Sequence, residues 1–141
     1  MISFVVYGIP QPKGSVRAFI VKDKEKRKQK AVVTSGNKQL KSWSQLVSIV
    51  AQEHVPQEGL LLGPIEVVLM FYLLRPRTVS KHKRPLPTVK PDIDKLVRSV
   101  LDALKGRLYA DDSQIVRIEA CKYYGDTPRV EITVKEVKDN S

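Results

Sequence analysis

The run "GPIEVVLMFYLL", Gly63 to Leu74, constrains the fold more than any other part of the chain. Glu66 is its one charged residue, and from Ile65 to Leu74 the others are β-branched, aliphatic or aromatic, with Met70. Its 12 residues fall well short of the roughly 20 that a bilayer-spanning helix needs. A run so apolar reads as a central strand, covered on both faces or nearly so.

The other segments supply what such a strand must pack against. "MISFVVYGIP" is a short first strand, ended by Gly8 and Pro10. A basic hairpin or loop follows, in which Ala18 to Val21 and Ala31 to Val33 flank a charged tip, Lys22 to Lys30. Asn37 is placed to cap a helix reaching about His54, because Leu40, Trp43, Val47, Val50 and His54 follow the helical period. A second stripe, Val97, Val100, Leu101 and Leu104, predicts a helix ending near Gly106. Val116, Ile118 and Ala120 alternate with polar residues, as do Val130, Ile132 and Val134, with "YGDTPR" between them as a turn. The expected fold is α+β: a compact two-layer single domain over residues 1–141, with a mixed sheet, two main helices and a C-terminal hairpin. Residues from Glu136 to Ser141 are expected to fray.

Charge narrows the function. A net charge of +10 and a pI near 9.8 point to a polyanionic partner rather than to any particular fold. Cys121 is the one cysteine, and His54 and His82 share no ligand spacing, so neither an internal disulfide nor a cysteine-built zinc site fits. The opening strand is not a signal peptide, and a cytoplasmic protein without a membrane segment or small-molecule cofactor is expected. Arg75 to Pro91 holds four prolines and six Lys or Arg residues without a helical or strand period. Long connections of this kind are usually functional, so this one reads as a substrate-contacting loop.

Against that background the acids are unevenly placed. None lies between Glu66 and Asp92, and then Asp92, Asp94, Asp102, Asp111 and Asp112 follow within a short span. Singly, each has an ordinary explanation. Asp94 suits a helix N-terminus, Asp102 can pair with Arg98 or Lys105 at helical spacing, and Asp111 and Asp112 suit a turn. Jointly they suit a divalent cation, since Mg²⁺ takes a few carboxylates with waters and substrate phosphate. The helix and following turn allow the chain to come back beside its own start, bringing Asp112 to Asp92 and Asp94. Such a cation would polarise a phosphodiester and activate water. Arg98, one turn beyond Asp94, is placed to stabilise charge on the phosphoryl group.

"DIDKLVRSVLDALKGRLYADDSQI" resembles the D-x-D-N-L…D-A-L…D-D signature of the RusA-type Holliday-junction resolvases, and "GIPQPKGSVRAF" is similar to their early G-x-P-x-P-K-G-R-P-R stretch. The resemblance spans nearly the whole chain. It implies a Mg²⁺-dependent endodeoxyribonuclease, with Mn²⁺ as the alternative ion, that acts as a homodimer on four-way DNA junctions in recombination and repair. It implies a bacterial cytosolic setting, host or prophage. By position, Asp92, Asp94 and Asp112 correspond to the metal carboxylates, with Asp111 assisting. Arg98 stands where the family has lysine, and Lys95 where it has asparagine, a position from which it can reach the scissile phosphate. Ser15-Val16-Arg17 replaces the usual Arg-Pro-Arg, leaving Lys13 and Arg17 as basic anchors. With Arg75, Arg77, Lys81, Lys83 and Arg84, these would hold the DNA backbone through phosphate contacts. The rival reading is a non-catalytic basic DNA- or RNA-binding module whose aspartates only cap and turn.

Overall fold

The computed structural model describes residues 1–14, 17–22, 29–34 and 39–138, the strands at 17–22 and 29–34 by their backbone. The apolar run forms strand β4, Ile65–Leu73, at the centre of a four-stranded sheet. Strand β1 is Ile2–Tyr7, β5 is Ile115–Tyr124 and β6 is Arg129–Glu136. The sheet order is β1-β6-β4-β5. Strand β4 is antiparallel to β6 and parallel to β5, so the sheet is mixed, as expected. Strands β2 (Arg17–Lys22) and β3 (Gln29–Thr34) pair with each other as the basic hairpin.

Helices α1 (Leu40–Gln52) and α2 (Ile93–Leu104) form the second layer. One core joins Trp43, Val47 and Ala51 of α1 and Leu96, Val100 and Leu104 of α2 to Val6, Val67, Leu69, Phe71, Val130 and Ile132 of the sheet. The Ser48 hydroxyl on α1 donates to the Ala103 carbonyl at 2.9 Å and ties the helices together. Gly8 has φ +152°, and a Cβ there would meet the Trp43 ring at 3.2 Å, so a glycine lets the chain leave β1 against α1. Gly106 (φ +78°) ends α2 as the left-handed residue just past the cap, as the sequence indicates.

Several sequence expectations change. The C-terminal hairpin is not formed, because β5 and β6 straddle β4 instead of pairing. Burial decides this: Val67, Leu69 and Phe71 need strand neighbours on both edges, and Ile118 and Ala120 supply one side while Val134, Ile132 and Val130 supply the other. Cover on β4 is one-sided, its residues alternating buried and half-buried, with Glu66, Val68, Met70 and Tyr72 on the half-buried face. The N-cap of α1 is Gln39, and Asn37 lies outside the described residues. Order continues past the expected fraying point, since β6 includes Glu136 and the Val137 amide donates to the Pro64 carbonyl at 2.9 Å. Residues 139–141 lie outside the described residues.

Among the described residues no helix is long and apolar enough to cross a membrane.

Candidate active site

Helix α2 positions the first carboxylates. Asp92 is its N-cap residue and Asp94 lies in its first turn, but the Asp92 side chain makes no capping hydrogen bond. Side-chain capping therefore does not account for Asp92. Its carboxylate instead faces Lys95, whose Nζ donates to Asp92 Oδ2 at 2.8 Å and stands 3.9 Å from Asp94 Oδ1. One ammonium thus sits between two exposed carboxylates. That hydrogen bond and charge hold the Asp92 carboxyl below the usual range, with Lys90 and Lys122 adding to the effect, and Asp92 in turn raises Lys95. Arg98 is exposed one turn further along.

Two segments fix this end of α2. The Lys13 amide donates to the Lys95 carbonyl at 3.0 Å, and the buried Ser99 hydroxyl donates to the Gln11 carbonyl at 2.7 Å. The early "GIPQPKG" stretch is therefore laid along α2. Lys13 pairs with Asp102 at 2.5 Å, so Asp102 is satisfied by Lys13 rather than by the Arg98 or Lys105 that helical spacing suggests. On the other side, Lys122 Nζ donates to the carbonyls of Val89 and Pro91 at 3.0 and 2.9 Å. Sequence reading missed Lys122. Its signal is its register, since it pairs with Phe71 on the helix-covered face of the sheet and so points toward the segment entering α2.

Asp111 and Asp112 lie beyond the other end of the helix. Asp111 caps the short turn Asp112–Gln114 by accepting from the Ser113 amide, and Gln114 returns the bond to complete a capping box. Lys105 Nζ stands 3.1 Å from the Asp111 carboxylate. The Ser113 hydrogen bonds first, then Lys105, lower the Asp111 carboxyl to about 2. Because the folded value is depressed, this stabilisation is complete above the unfolded carboxylate range and is lost as pH falls toward 2. The Tyr109 hydroxyl, buried with its ring in the core, lies 2.9 Å from both Asp112 Oδ1 and the Leu101 carbonyl, which share its one proton. Burial and the adjacent Asp112 push the Tyr109 hydroxyl well up, so it remains a donor. Tyr109→Phe is expected to cost about 1–2 kcal/mol, because two acceptors lose one donor. Chemical unfolding against wild type checks this.

The return of Asp112 to its own helix start does not occur. Asp112 is held beside Leu101, nine residues along α2 from Asp92, which at ~1.5 Å per residue is ~13 Å. Carboxylates sharing one Mg²⁺ must each lie ~2 Å from it. Among the described residues no three His, Cys, Asp or Glu side chains gather to hold a metal. Asp92 and Asp94 nevertheless suit the ion as a pair, since they already enclose a cationic nitrogen.

The loop after β4 is organised by Arg75. Its guanidinium donates to the carbonyls of Ser80, Arg84 and Pro85 and lies 4.2 Å over the Tyr124 ring. Turns at Pro76–Val79 and Ser80–Arg84 give the segment internal structure that its sequence does not announce. Arg75 is thus occupied within the loop. Arg77, Lys81 and Lys83 are exposed, and Arg84 is half-buried with one nitrogen 3.4 Å from the Tyr124 hydroxyl. The Arg17 side chain lies outside what is described.

Known proteins decide the family. Residues 10–135 match the model of the endodeoxyribonuclease RusA family. The chain belongs to that family. It is 35% identical over 96% of both chains to the uncharacterized protein YqaN of Bacillus subtilis strain 168. It is 38% identical to the crossover junction endodeoxyribonuclease rusA of Lactococcus phage r1t, over 50% of this chain and 52% of that protein. The two motifs that carry the sequence resemblance meet in the fold, a proximity the sequence does not show: the early stretch bonds Lys95 and Ser99 of α2, whose start holds the D-x-D pair.

Proposed function

We propose that the protein is a structure-selective endodeoxyribonuclease that resolves four-way DNA junctions by Mg²⁺-dependent phosphodiester hydrolysis, with paired nicks made by a homodimer. The observation that carries the reading is the Asp92–Asp94 pair, which flanks a single cationic nitrogen at a helix start with Lys90, Arg98 and Lys122 nearby, in a chain of an endodeoxyribonuclease family. In hydrolysis the oxygen of water bonds to phosphorus as one bridging P–O bond breaks. Asp92 and Asp94 would hold the cation, which when bound supplies polarisation of the phosphodiester and an acidified water. Lys95, released from the carboxylates, turns to the scissile phosphate, and Arg98 stabilises charge on the phosphoryl group. Lys13, Arg17, Arg77, Lys81, Lys83 and Arg84 position the backbone, and Arg75 holds the loop that carries four of them.

Asp112 enters through the dimer. Within a protomer it is more than two helical turns from Asp92, so it reaches the same cation only from a second copy. A symmetric pair exchanges these contributions both ways and makes two equivalent sites, as two matched nicks require. Asp111 caps the turn that presents Asp112. The setting we infer is the bacterial cytosol, host or prophage.

Incubation with a synthetic four-way junction, a linear duplex and a single strand, each with Mg²⁺ or chelator, tests the function. Cuts confined to the junction and to Mg²⁺ are expected. Tight DNA binding with no cut at any metal concentration would favour the non-catalytic module.

A further inference from the structure

Beside the D-x-D segment lies a concavity that the proposed chemistry leaves unused. It has a volume of about 220 Å³ and is lined by Ile9, Leu74, Pro87, Val89, Lys90 and Tyr124 among others. Drug-sized ligands occupy roughly 300–1,000 Å³, so this space suits one small ring system. Its rim is apolar but wet: Ile9 is 61% exposed, Leu74 52% and Val89 43%. Three such side chains converging on one hollow call for an apolar occupant.

Position and charge say which occupant. Pro91 lines the same hollow and directly precedes Asp92. Lys90 is on the rim, and the cationic loop 75–91 forms one wall. The surroundings therefore suit a group that is flat and apolar itself but attached to phosphate. The walls are also set in advance. Lys122 pins the carbonyls of Val89 and Pro91, and Arg75 braces the Tyr124 ring from the loop. A preformed pocket spends little binding energy on ordering.

We infer that this hollow takes an unstacked nucleobase from the strand whose phosphate lies at Asp92 and Asp94, and so helps select branched over linear DNA. The inference rests on the proposed junction reading and names the contact that discriminates. In a linear duplex every base is stacked and paired, and extracting one has an energetic cost. At a branch point that cost is lowest, as for any base already mispaired or single-stranded. Base stacking on apolar and aromatic side chains then rewards the branched substrate and does not require a particular base.

The test is equilibrium binding in chelator, so that catalysis does not enter. The DNAs are a four-way junction, the linear duplex of the same arm sequence, and junctions carrying one abasic residue at each position around the branch in turn. The proteins are wild type, Ile9→Trp, which fills the hollow, and Leu74→Ala, which strips an exposed wall without threatening the fold. One abasic position is expected to weaken wild-type junction binding about tenfold, the scale of one base stack. Ile9→Trp should weaken the intact junction by a similar factor, lose the abasic effect, and bind duplex as wild type does. Leu74→Ala should show the same pattern in smaller measure. Junction binding that is indifferent to every abasic position overturns the inference while leaving the nuclease reading intact. Losses that multiply between Ile9→Trp and the abasic site overturn it as well, as does a shift in sedimentation state without an abasic effect, which would assign the hollow to a second copy. Failure to bind either DNA overturns the junction reading and this inference together.

Discussion

Asp92→Asn abolishes junction cleavage and leaves junction binding unchanged or tighter. Asparagine keeps the shape and cannot cap less well, because Asp92 makes no capping bond. What it removes is one of two carboxylates around the site now filled by the Lys95 ammonium. Changing a residue that only orients a metal ligand commonly costs 10–100-fold in affinity or activity, so losing a ligand itself should cost at least ~100-fold in turnover. Binding responds in the opposite sense, since one negative charge no longer repels the phosphates and Lys95 is freed to face them. Strand-resolved gels report cleavage, and fluorescence anisotropy in chelator reports binding. Wild-type turnover in the variant would remove the metal assignment. Mixing protomers extends the experiment. In a dimer combining Asp92→Asn with Asp112→Asn, a shared site retains one intact set of carboxylates and nicks one strand. If all carboxylates of a site came from a single protomer, the mixture would stay as inactive as either variant alone.

Neutralising the loop is the second large effect. Replacing Arg77, Lys81, Lys83 and Arg84 by glutamine removes cations that the structure leaves on the loop surface or only lightly engaged, while Arg75 is kept to hold the fold of the loop. Each lost phosphate contact lowers the slope of log affinity against log salt by about 0.9, so four contacts lower it by roughly 3 to 4. Affinity at low salt should fall by orders of magnitude and converge toward wild type as salt rises, because counterion release is what the loop contributes. Titrations across a salt series measure this directly. A slope equal to wild type would mean that the loop is a linker and that the DNA lies elsewhere.

Much of this is legible in the sequence, and what is not has physical reasons. The strand at Ile65–Leu73, the helix at Ile93–Leu104 and its end at Gly106 follow from local periodicity and backbone preference. Alternation in β5 and β6 was equally readable, but their partner was not. A turn signal says that two strands are consecutive, whereas the demand of β4 for neighbours on both edges decides that they flank it. The site shows the same division. Asp92 and Asp94 sit together because two residues separate nothing. Asp112 does not return, although residues 105–111 could span up to ~24 Å if extended, because Tyr109 is buried and fastens Asp112 to the last turns of α2. Lys122 and the Lys13–Asp102 pair depend on register and on distant segments meeting, which no short window of sequence displays.

The most direct measurement uses a supercoiled plasmid that extrudes a cruciform, incubated with the protein and Mg²⁺ and sampled through the first turnover. Two nicks made within the life of one complex give linear plasmid. Linear product appearing without an accumulation of nicked circles, and absent in chelator, is the result expected of a dimer with two carboxylate sites on one junction. Nicked circles alone, or plasmid bound and left uncut, would contradict it.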